Sequence, residues 1–567
     1  MIDETPSAET ICGFGADICV IGGGPVGIVT ALALEEKGLR VLLLESGGFR
    51  TAPEAQALSE GENLRPDNNY RPDITVARQL GGTSNLWGGR CLPYDPIDFR
   101  SRPWLDVPQW PLSERDLAPF LEPACAALGA GQAVFRAPLA GVKADDAFSY
   151  DTLERWSNMP RIHSLHRRAL TERKGLLVAL GVTVLGFGYG PEGRIRRLKI
   201  HLEGRGREEI SVASVVLAAG GNESTRLLLA EERRRPGLFG GSEGPLGRYY
   251  MGHLNGQIAD IVLESQALHD GLDFFVDDHG SYVRRRLVPA EWVQEREALA
   301  NVAFWPVVPE IADPAHRSGP LSAVFLALSV PAFGKRLIAE AIREKHLGPP
   351  PYRRGRHIVN VLRDPLRTLG FGPRFLWRNK VARPRLPGLF LTNPARRYGL
   401  EYHSEQLPNP DSRLTLAETT DRLGLPRLRL ELRFSEADAG SILRAHAALG
   451  AWLERNGLGR LNYRVPEAER ISAVLAEAKH GNHQIGTIRM GLSAREGVVD
   501  RNCRTFGVTN LHVVSTAVLP TSSQANPTLT AVQLGLRLAD HIAAERHART
   551  VIGSIERPVF PSCSLGS

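Results

Sequence analysis

The segment from residue 17 to residue 45 most constrains how this chain can fold. Residues 17–21 read as a buried strand, residues 22–27 form a glycine turn with the sequence GGGPVG, and residues 28–37 read as a helix. A second apolar strand, 41–44, follows. A glycine turn between a strand and a helix is the arrangement that binds the pyrophosphate of a dinucleotide, because free amides at the helix start attract phosphate.

The residues of this turn have separate physical roles. Gly22 permits the turn, Gly24 lets backbone approach a pyrophosphate, and Gly27 lets the helix lie close to the strand. Glu45 ends the second strand, where a carboxylate accepts hydrogen bonds from both ribose hydroxyls and repels a 2′-phosphate. These positions predict a nucleotide site but do not by themselves separate FAD from NAD. The predicted contacts here are Gly22, Gly24, Pro25, Val26, Gly27 and Glu45.

Length and composition are typical of a multidomain globular protein. A chain of 567 residues predicts two or three domains, and 43% hydrophobic with 23% charged residues are ordinary values. The first 15 residues hold three acids and no Lys or Arg, unlike a secretory leader, and prolines interrupt the longest charge-free apolar stretch, 318–334. Six scattered cysteines suggest neither a disulfide scaffold nor a metal site, so we expect a cytoplasmic location and no bound metal.

The net charge of +7 is concentrated in one segment, residues 332–386, which contains 14 Lys or Arg residues and three acids. Its arginines alternate with aromatic and aliphatic residues. Such a segment suits a solvated insertion packed on its parent domain, an anionic membrane or glycan surface, or a nucleic acid. No known nucleic-acid fold signature is present, so we expect no nucleic-acid partner and at most weak contact with an anionic membrane.

A second glycine-rich passage follows the first nucleotide-binding unit. Its four glycines, with hydroxyl and amide side chains between them, could press backbone against a flat or anionic ligand, or could form an ordinary flexible loop. We predict ligand contacts from Gly81, Gly82, Thr83, Ser84, Asn85, Leu86, Trp87, Gly88 and Gly89.

The chain then returns to the nucleotide-binding part. Strand-rich sequence covers 181–202, and the run 215–222, which includes Gly220 and Gly221, reads as another buried strand leading into a helix over 224–232. A strand-to-glycine turn so far from the first indicates a domain built from discontinuous pieces. Further predicted ligand contacts are Val184, Ala219, Gly220 and Asn222.

Residues 251–480 have a different pattern, with alternating strands and long connections. Residues 413–416 and 427–432 read as strands with one solvent-facing side, and Ser435 begins an amphipathic helix that ends at Gly457. This region predicts a second domain built on an antiparallel sheet.

Near the C-terminus, the sequences HQIGTIRMG (483–491) and QANPTLT (524–530) set one imidazole and one carboxamide before a predicted helix. His483 and Asn526 could together perform proton chemistry on an alcohol, provided that a hydride acceptor lies beside them. Asn526 also stands where it could cap the helix that starts near Pro527.

In combination these motifs resemble the glucose-methanol-choline (GMC) oxidoreductase family over nearly the whole chain. The matching pieces are GGGPVG with its terminal Glu45, GGTSNLWGG, VVLAAGGNESTRLLL (215–229), HQIGTIRMG and NPTLTAVQLGLRLADHI (526–542). The resemblance implies an FAD cofactor and hydride removal from the carbon of an alcohol. It also implies an α/β fold, with a discontinuous Rossmann-like FAD-binding domain and an α+β substrate domain on an antiparallel sheet.

The resemblance also implies domain boundaries and site residues. Residues 1–250, with substrate-side loops around 100–175, and residues 481–567 would form the FAD-binding domain, and residues 251–480 the substrate domain. His483 falls where the family keeps its active-site histidine, and Asn526 where it keeps an asparagine or a second histidine. Residues expected to contact FAD near this pair are Ser515, Thr516, Asn526, Pro527 and Thr528.

Departures from the family pattern narrow the expected branch. Trp87 stands where many members have asparagine, and this form resembles pyranose oxidases and bacterial sugar or glycoside dehydrogenases. Leu86 stands where some pyranose oxidases have the histidine that links flavin covalently, so we expect noncovalent FAD. Ser515 replaces the usual aspartate, which weakens a carboxylate contact to flavin there. His403 and Glu405 are weaker candidates for substrate contact.

The resulting expectation is FAD-dependent oxidation of a secondary hydroxyl of a sugar, glycoside or glycosylated natural product, by a dehydrogenase or an oxidase. The electron acceptor stays open among oxygen, a quinone and a protein. The alternatives are a flavin-retaining lyase or decarboxylase, since this fold can host non-redox chemistry, and an oxidoreductase for a non-sugar alcohol at a membrane surface.

Overall fold

The computed structural model of the chain describes residues 1–330, 347, 352–388 and 390–555. Their strands are β1 Ile2–Asp3, β2 Ile18–Ile21, β3 Val41–Glu45, β4 Gly61–Asn63, β5 Arg90–Cys91, β6 Phe148–Ser149, β7 Leu153–Trp156, β8 Leu176–Leu180, β9 Val182–Tyr189, β10 Ile195–Leu202, β11 Gly206–Ser211, β12 Val215–Leu217, β13 His253–Leu263, β14 Phe275–Val276, β15 Tyr282–Arg285, β16 Val288–Pro289, β17 Val302–Val307, β18 Arg397–Glu405, β19 Arg413–Thr420, β20 Pro426–Glu431, β21 Gly459–Tyr463 and β22 Leu511–Val513.

Helices connect and cover these strands. They are α1 Ala8–Gly13, α2 Pro25–Glu36, α3 Pro53–Gln56, α4 Pro72–Thr75, α5 Glu114–Leu117, α6 Leu121–Ala127, α7 Ile162–Leu165, α8 Arg167–Glu172, α9 Gly221–Arg234, α10 Gln266–Gly271, α11 Glu291–Arg296, α12 Gly319–Ser329, α13 Arg354–Arg363, α14 Pro365–Leu376, α15 Glu436–Arg455, α16 Arg470–Glu477 and α17 Thr528–Ile555. Within the described ranges, no helix is both long enough and apolar enough to cross a bilayer.

A six-stranded sheet in the order β1-β8-β3-β2-β12-β22, parallel at every pairing, carries the nucleotide-binding part. Its central strands are fully buried, which explains their continuous apolar sequence. Pro25 occupies the first turn of α2, where its missing N–H costs nothing. Helix α17 packs closely on α2, because a Cβ on Gly535 would lie 2.4 Å from Thr30 Oγ1.

A four-stranded antiparallel sheet, β17-β18-β13-β21, forms the centre of the second part. The register sets His253 opposite Glu405 and Asn255 opposite His403, so one end of this sheet carries two histidines on adjacent strands. Helix α15 covers the sheet and begins as predicted. Ser435 caps it in a capping box with Asp438, and Gly457 follows its end at φ 63°.

The α/β class with a second, sheet-based domain is therefore confirmed, while the domain boundaries at 250 and 480 stay a prediction. One detail differs from expectation. The strands predicted at 413–416 and 427–432 exist as β19 and β20, but they pair with each other, and β20 pairs with β4 near the N-terminus and not with the large antiparallel sheet. All these strands have similar sequence patterns, so the sequence does not show that they belong to two separate sheets.

Candidate active site

A cleft of about 1520 Å³ opens beside the ends of β2, β3 and β12. Most predicted nucleotide contacts line it, together with the imidazole predicted to be catalytic. These residues are Gly22, Gly24, Pro25, Val26, Glu45, Gly82, Thr83, Val184, Ala219, Gly220, His483, Ser515, Thr516, Pro527 and Thr528. The two ends of the sequence therefore meet in one cleft.

The glycines of the cleft are required by close backbone approaches. A Cβ on Gly27 would lie 1.9 Å from Gly22 O, and one on Gly22 would lie 2.6 Å from Ala218 O. Gly82 has φ 51°, and its Cβ would lie 2.8 Å from Gly24 Cα, so the second glycine-rich loop touches the first. A Cβ on Gly24 would meet no atom within 4 Å, so its surface stays open for a ligand.

Glu45 is buried at the edge of the cleft. Its two carboxylate oxygens accept hydrogen bonds from the Gly23 and Gly47 N–H groups, each at 2.8 Å. Burial raises the pKa of Glu45, and these two N–H groups oppose the shift. Arg78, which sequence reasoning missed, lies beside this carboxylate and forms an ion pair with Glu223 across the cleft.

The other residues predicted to contact the ligand do not line the cleft, and several of them support its walls. Gly27 packs under the turn, and the Gly81 N–H donates to Gly23 O. Within the second glycine-rich loop, Ser84 Oγ donates to Gly81 O and Asn85 Nδ2 donates to Gly82 O. Trp87 donates its indole N–H to Pro160 O at 2.7 Å, and Gly89 packs on Ser157. Leu86 and Gly88 are exposed, and Asn222 borders a small neighbouring cavity.

His483 and Asn526 meet as predicted, with Asn526 Nδ2 3.2 Å from His483 Nε2. The capping role predicted for Asn526 is wrong. Helix α17 begins at Thr528, one residue later than a cap at Asn526 requires, and the carboxamide hydrogen-bonds to His483 instead. Its Oδ1 atom is buried and has no partner among the described residues. The carboxamide is therefore available to a ligand.

Hydrogen bonds fix the tautomer of His483. His253 Nε2 lies 3.1 Å from the Ser522 carbonyl oxygen, which can only accept, so His253 carries its proton on Nε2. His253 Nδ1 is then an acceptor, and it lies 2.8 Å from His483 Nδ1, which must donate. The second nitrogen of His483, Nε2, is left with its lone pair directed at Asn526. This is the tautomer a proton acceptor needs at that position.

Four histidines cluster around this position, namely His253, His403, His480 and His483. Burial lowers the pKa of His483 well below its ordinary value, and the neighbouring His253, His480 and Arg90 add to the effect. Burial likewise lowers the pKa of His253 and His403 well below normal and that of His480 to about 4. All four imidazoles are therefore neutral near pH 7.

A buried network holds the loop that precedes Asn526. Ser523 Oγ donates to Asp98 at 2.6 Å, and Gln524 Nε2 donates to Asp95 at 2.7 Å. His403 Nδ1 lies 2.6 Å from the Gln524 carbonyl oxygen, so His403 presents an unprotonated Nε2. His403 also stacks on His253 with ring centroids 4.3 Å apart, which supports its predicted place at the site.

Glu405, the other weak candidate for substrate contact, has a different role. It is 1% exposed and forms a bidentate ion pair with the fully buried Arg102, and one of its oxygens also accepts the Asn301 N–H. Its oxygens are thus committed to protein partners, which fits a structural part and not substrate contact. Sequence reasoning could not separate Glu405 from His403 because they lie two residues apart on one strand.

Comparisons with known proteins agree with this geometry. Residues 408–535 match the family model described as GMC oxidoreductase, and residues 17–287 match the one described as FAD dependent oxidoreductase. The N-terminal half therefore carries an FAD dependent oxidoreductase domain, and the C-terminal part carries the domain of the GMC oxidoreductase family. Members of this family are FAD-dependent oxidoreductases that act on alcohol CH–OH groups, so the predicted enzyme class is confirmed.

Individual relatives of this GMC oxidoreductase are distant. The 2-methyl-1,2-propanediol dehydrogenase of Mycolicibacterium austroafricanum is 22% identical, over 93% of this chain and 95% of that protein. The C-glycoside 3-oxidase of Microbacterium trichothecenolyticum is 32% identical, over 22% of this chain and 23% of that protein. The pyridoxine 4-oxidase structure from Mesorbium loti shares the fold with a TM-score of 0.55, 17% identity, and coverage of 93% of this chain and 99% of that chain.

The cleft of this GMC oxidoreductase fits FAD. The open face at Gly24 and the start of α2 suit a pyrophosphate, and Glu45 lies where a ribose would bind. Asn222, at the start of α9, has a buried carboxamide whose two polar atoms lack partners among the described residues, as expected of a group that awaits a ligand. When bound, FAD supplies the acceptor for a hydride.

Proposed function

We propose that this GMC oxidoreductase oxidises a secondary hydroxyl of a sugar, glycoside or glycosylated natural product, with His483 and Asn526 acting on that hydroxyl. The observation that carries the proposal is the convergence of a neutral, unprotonated His483 Nε2 and the Asn526 Nδ2 donor at the end of the FAD cleft. An imidazole and a carboxamide so placed can bind one alcohol oxygen from two sides.

The positions of the protons on His483 and Asn526 determine the proposed alcohol oxidation. A substrate hydroxyl replaces the hydrogen bond between the two side chains, so that it donates to His483 Nε2 and accepts from Asn526 Nδ2. As the hydroxyl proton moves to Nε2, the oxygen gains the charge that makes the adjacent carbon a good hydride donor. FAD bound in the cleft beside Gly24 and Glu45 would supply the acceptor for the hydride of that carbon, and the alcohol would become a carbonyl. The proton then resides on His483, whose Nδ1–H still donates to His253.

His253 is a positioning residue in this scheme. It does not need to touch substrate, because its Nδ1 acceptor selects the tautomer of His483 and orients the ring. It is completely buried at the start of β13, and the Ser522 carbonyl fixes its own tautomer in turn. The loop that contains Ser522 leads directly to Asn526, so both partners of the substrate oxygen are held by one short segment.

The proposed substrate class rests on two observations. Trp87 is the residue whose presence resembles the sugar-oxidising branch, and here its indole is fixed by Pro160 at the base of the second glycine-rich loop. The names of the two relatives described above concern a glycoside and a diol, both of which are polyhydroxylated compounds. We infer that the substrate carries more than one hydroxyl.

We also propose that FAD binds noncovalently. Leu86 offers no nucleophilic atom, and it is exposed on the loop that otherwise packs against the first glycine turn. Acid precipitation of the purified holoenzyme should release all flavin colour into the supernatant. Colour that stays with the protein pellet would contradict this part of the proposal.

Anaerobic flavin spectroscopy with a panel of sugars and glycosides tests the proposal. At least one member should bleach the flavin of wild-type enzyme, and His483→Ala should slow bleaching by about 10²–10⁴-fold, the usual contribution of a general base. Equal bleaching by His483→Ala would refute its role as base. Product formation without bleaching would indicate the lyase or decarboxylase alternative, and bleaching by simple alcohols alone would reject the carbohydrate class.

A further inference from the structure

Three leucines of helices α13 and α14 lie on the outside. Leu362, Leu366 and Leu369 are 72%, 85% and 77% exposed, and Trp377, in the π-helix that follows, is 62% exposed. A water-soluble surface helix has the opposite arrangement, with its apolar stripe against the core. We refer to these four residues as the leucine face.

The inward side of α13 is polar, which fixes its orientation. His357 Nδ1 lies 3.1 Å from Ser322 Oγ, and His357 Nε2 lies 3.2 Å from the Ala312 carbonyl oxygen. Asn360 Nδ2 donates to the Pro314 carbonyl oxygen at 3.0 Å, and the His357 ring stacks on Phe325. Rotating α13 to bury Leu362 would break these buried hydrogen bonds. The contacts therefore hold Leu362 toward solvent, and Leu366 and Leu369 on α14 are exposed as well.

Arginines border the leucine face. Arg356, Arg363 and Arg367 are exposed and make no side-chain hydrogen bond or ion pair with any described residue. Within each helix an arginine directly follows a leucine, Arg363 after Leu362 and Arg367 after Leu366, so each arginine lies about 100° around its helix from that leucine. Long arginine side chains in such positions reach toward anionic groups while their stems follow an apolar surface.

We propose that the leucine face inserts into the surface of an anionic lipid bilayer, with the bordering arginines on lipid phosphates. Exposed leucines with a tryptophan on one face and arginines beside them are the composition of helices that lie in a membrane interface. The predicted cytoplasmic location would set the face opposite an anionic leaflet. This inference is independent of the substrate and of the roles of His483 and Asn526.

A second copy of the chain is a poorer occupant for charge reasons. Residues 352–386 contain nine arginines and one lysine but a single acid, Asp364. Two such faces brought together would repel each other, since Asp364 is the one carboxylate present to pair with nine arginines. Residues 332–346 and 348–351 of the predicted basic segment lie outside the described residues, so the proposal rests on α13, α14 and Trp377 alone.

Vesicle flotation of the FAD-loaded full chain tests the proposal. Vesicles of phosphatidylcholine alone and vesicles with about a third phosphatidylglycerol serve as probes, at about 0.05 M and about 0.5 M salt. We expect at least tenfold more protein to float with the anionic vesicles at low salt. High salt should weaken but not abolish this binding, because apolar insertion is not screened.

Matched variants separate the two contributions. The triple variant Leu362→Glu, Leu366→Glu, Leu369→Glu should lose binding at least tenfold at both salt concentrations. Arg356→Gln, Arg363→Gln, Arg367→Gln should remove the preference for anionic vesicles. Leu492→Glu is the control, since Leu492 is 76% exposed on a distant segment of sequence and should bind as wild type. Flavin content and thermal melting of each variant show that it is folded.

Three results would overturn the proposal. Wild-type protein that floats with neither kind of vesicle would reject it. Binding that survives the leucine substitutions in a folded variant would reject insertion of this face. Light scattering that shows a wild-type dimer which the leucine substitutions dissociate would assign the face to a second copy of the chain.

Discussion

Replacing His253 by phenylalanine tests the positioning of the proposed base. Phenylalanine keeps an aromatic ring for stacking on His403 but removes the acceptor that lies 2.8 Å from His483 Nδ1. His483 can then place its proton on either nitrogen. If the proton moves to Nε2, the atom that faces Asn526 can no longer accept the hydroxyl proton.

The size of the effect follows from the lost hydrogen bond. A buried donor without its partner costs about 1–3 kcal/mol, so the competent tautomer loses that much free energy relative to the other. This corresponds to about 5- to 150-fold less of the competent form, and to the same loss in the rate of anaerobic flavin reduction at saturating substrate. Substrate affinity should change less, because His253 does not contact the proposed substrate position.

Stopped-flow reduction across substrate concentrations measures the rate and the affinity separately. His253→Gln provides an amide oxygen as acceptor and should recover part of the lost rate. His446→Phe removes another fully buried histidine, which bonds within its own helix, and should leave the rate unchanged. Reduction by His253→Phe at the wild-type rate, or a His253→Gln variant as slow as His253→Phe, would show that His253 does not set the tautomer.

Three further predictions concern the cofactor and pH. Gly82→Ala should bind little FAD, because its Cβ would lie 2.8 Å from Gly24 Cα; the ratio of flavin to protein absorbance measures this, and Gly88→Ala, which meets no atom within 4 Å, should retain FAD. The rate of flavin reduction by substrate should have an acid limb well below pH 6.5, because burial lowers the pKa of His483 and keeps it a competent base there; a limb above 6.5 would contradict this. Burial lowers the pKa of His446 to about 4 in the folded state. Below the unfolded value of 6.5 the unfolded chain therefore binds more protons than the folded chain, and the free energy of unfolding decreases as the pH is lowered. The denaturant-derived stability lost between pH 7 and pH 5 should be about 2 kcal/mol smaller in His446→Phe than in wild type, and equal losses would argue against a neutral buried His446.

The sequence predicts the glycine-lined cleft well because that cleft depends on local rules. A strand, a glycine turn, a helix and a terminal acid are contiguous, and their spacing restricts the backbone, so Gly22, Gly24 and Glu45 could be named in advance. Asn526 and His483 could be named because they stand in equally specific motifs. The capping role of Asn526 failed because capping depends on where the helix begins, which shifts by a residue under tertiary contacts.

Apart from His403, the described residues around His483 could not be predicted, for the opposite reason. His253 and His403 come from the starts and ends of different strands, and only the register of β13 against β18 brings them to one place. His480 and Arg90 reach the same cluster from a loop and a two-residue strand. No periodicity or spacing connects these positions, because strand register depends on the packing of whole sheet faces and not on the sequence near each histidine.

The buried cluster also explains how one imidazole can serve as a base without holding charge beforehand. Desolvation and the nearby Arg90 disfavour a second proton on His483, so its Nε2 carries no proton when an alcohol binds. When that nitrogen gains the hydroxyl proton, the buried positive charge on His483 costs free energy. His253 offsets part of this cost, because it accepts a stronger hydrogen bond from a charged His483. His253 itself cannot pass a proton onward, because its far nitrogen already donates to the Ser522 carbonyl. His253 and His483 therefore favour an unprotonated Nε2 on His483 before the reaction and hold the transferred proton on His483 after it. Hydride removal from an alcohol requires the proton to be accepted in this order.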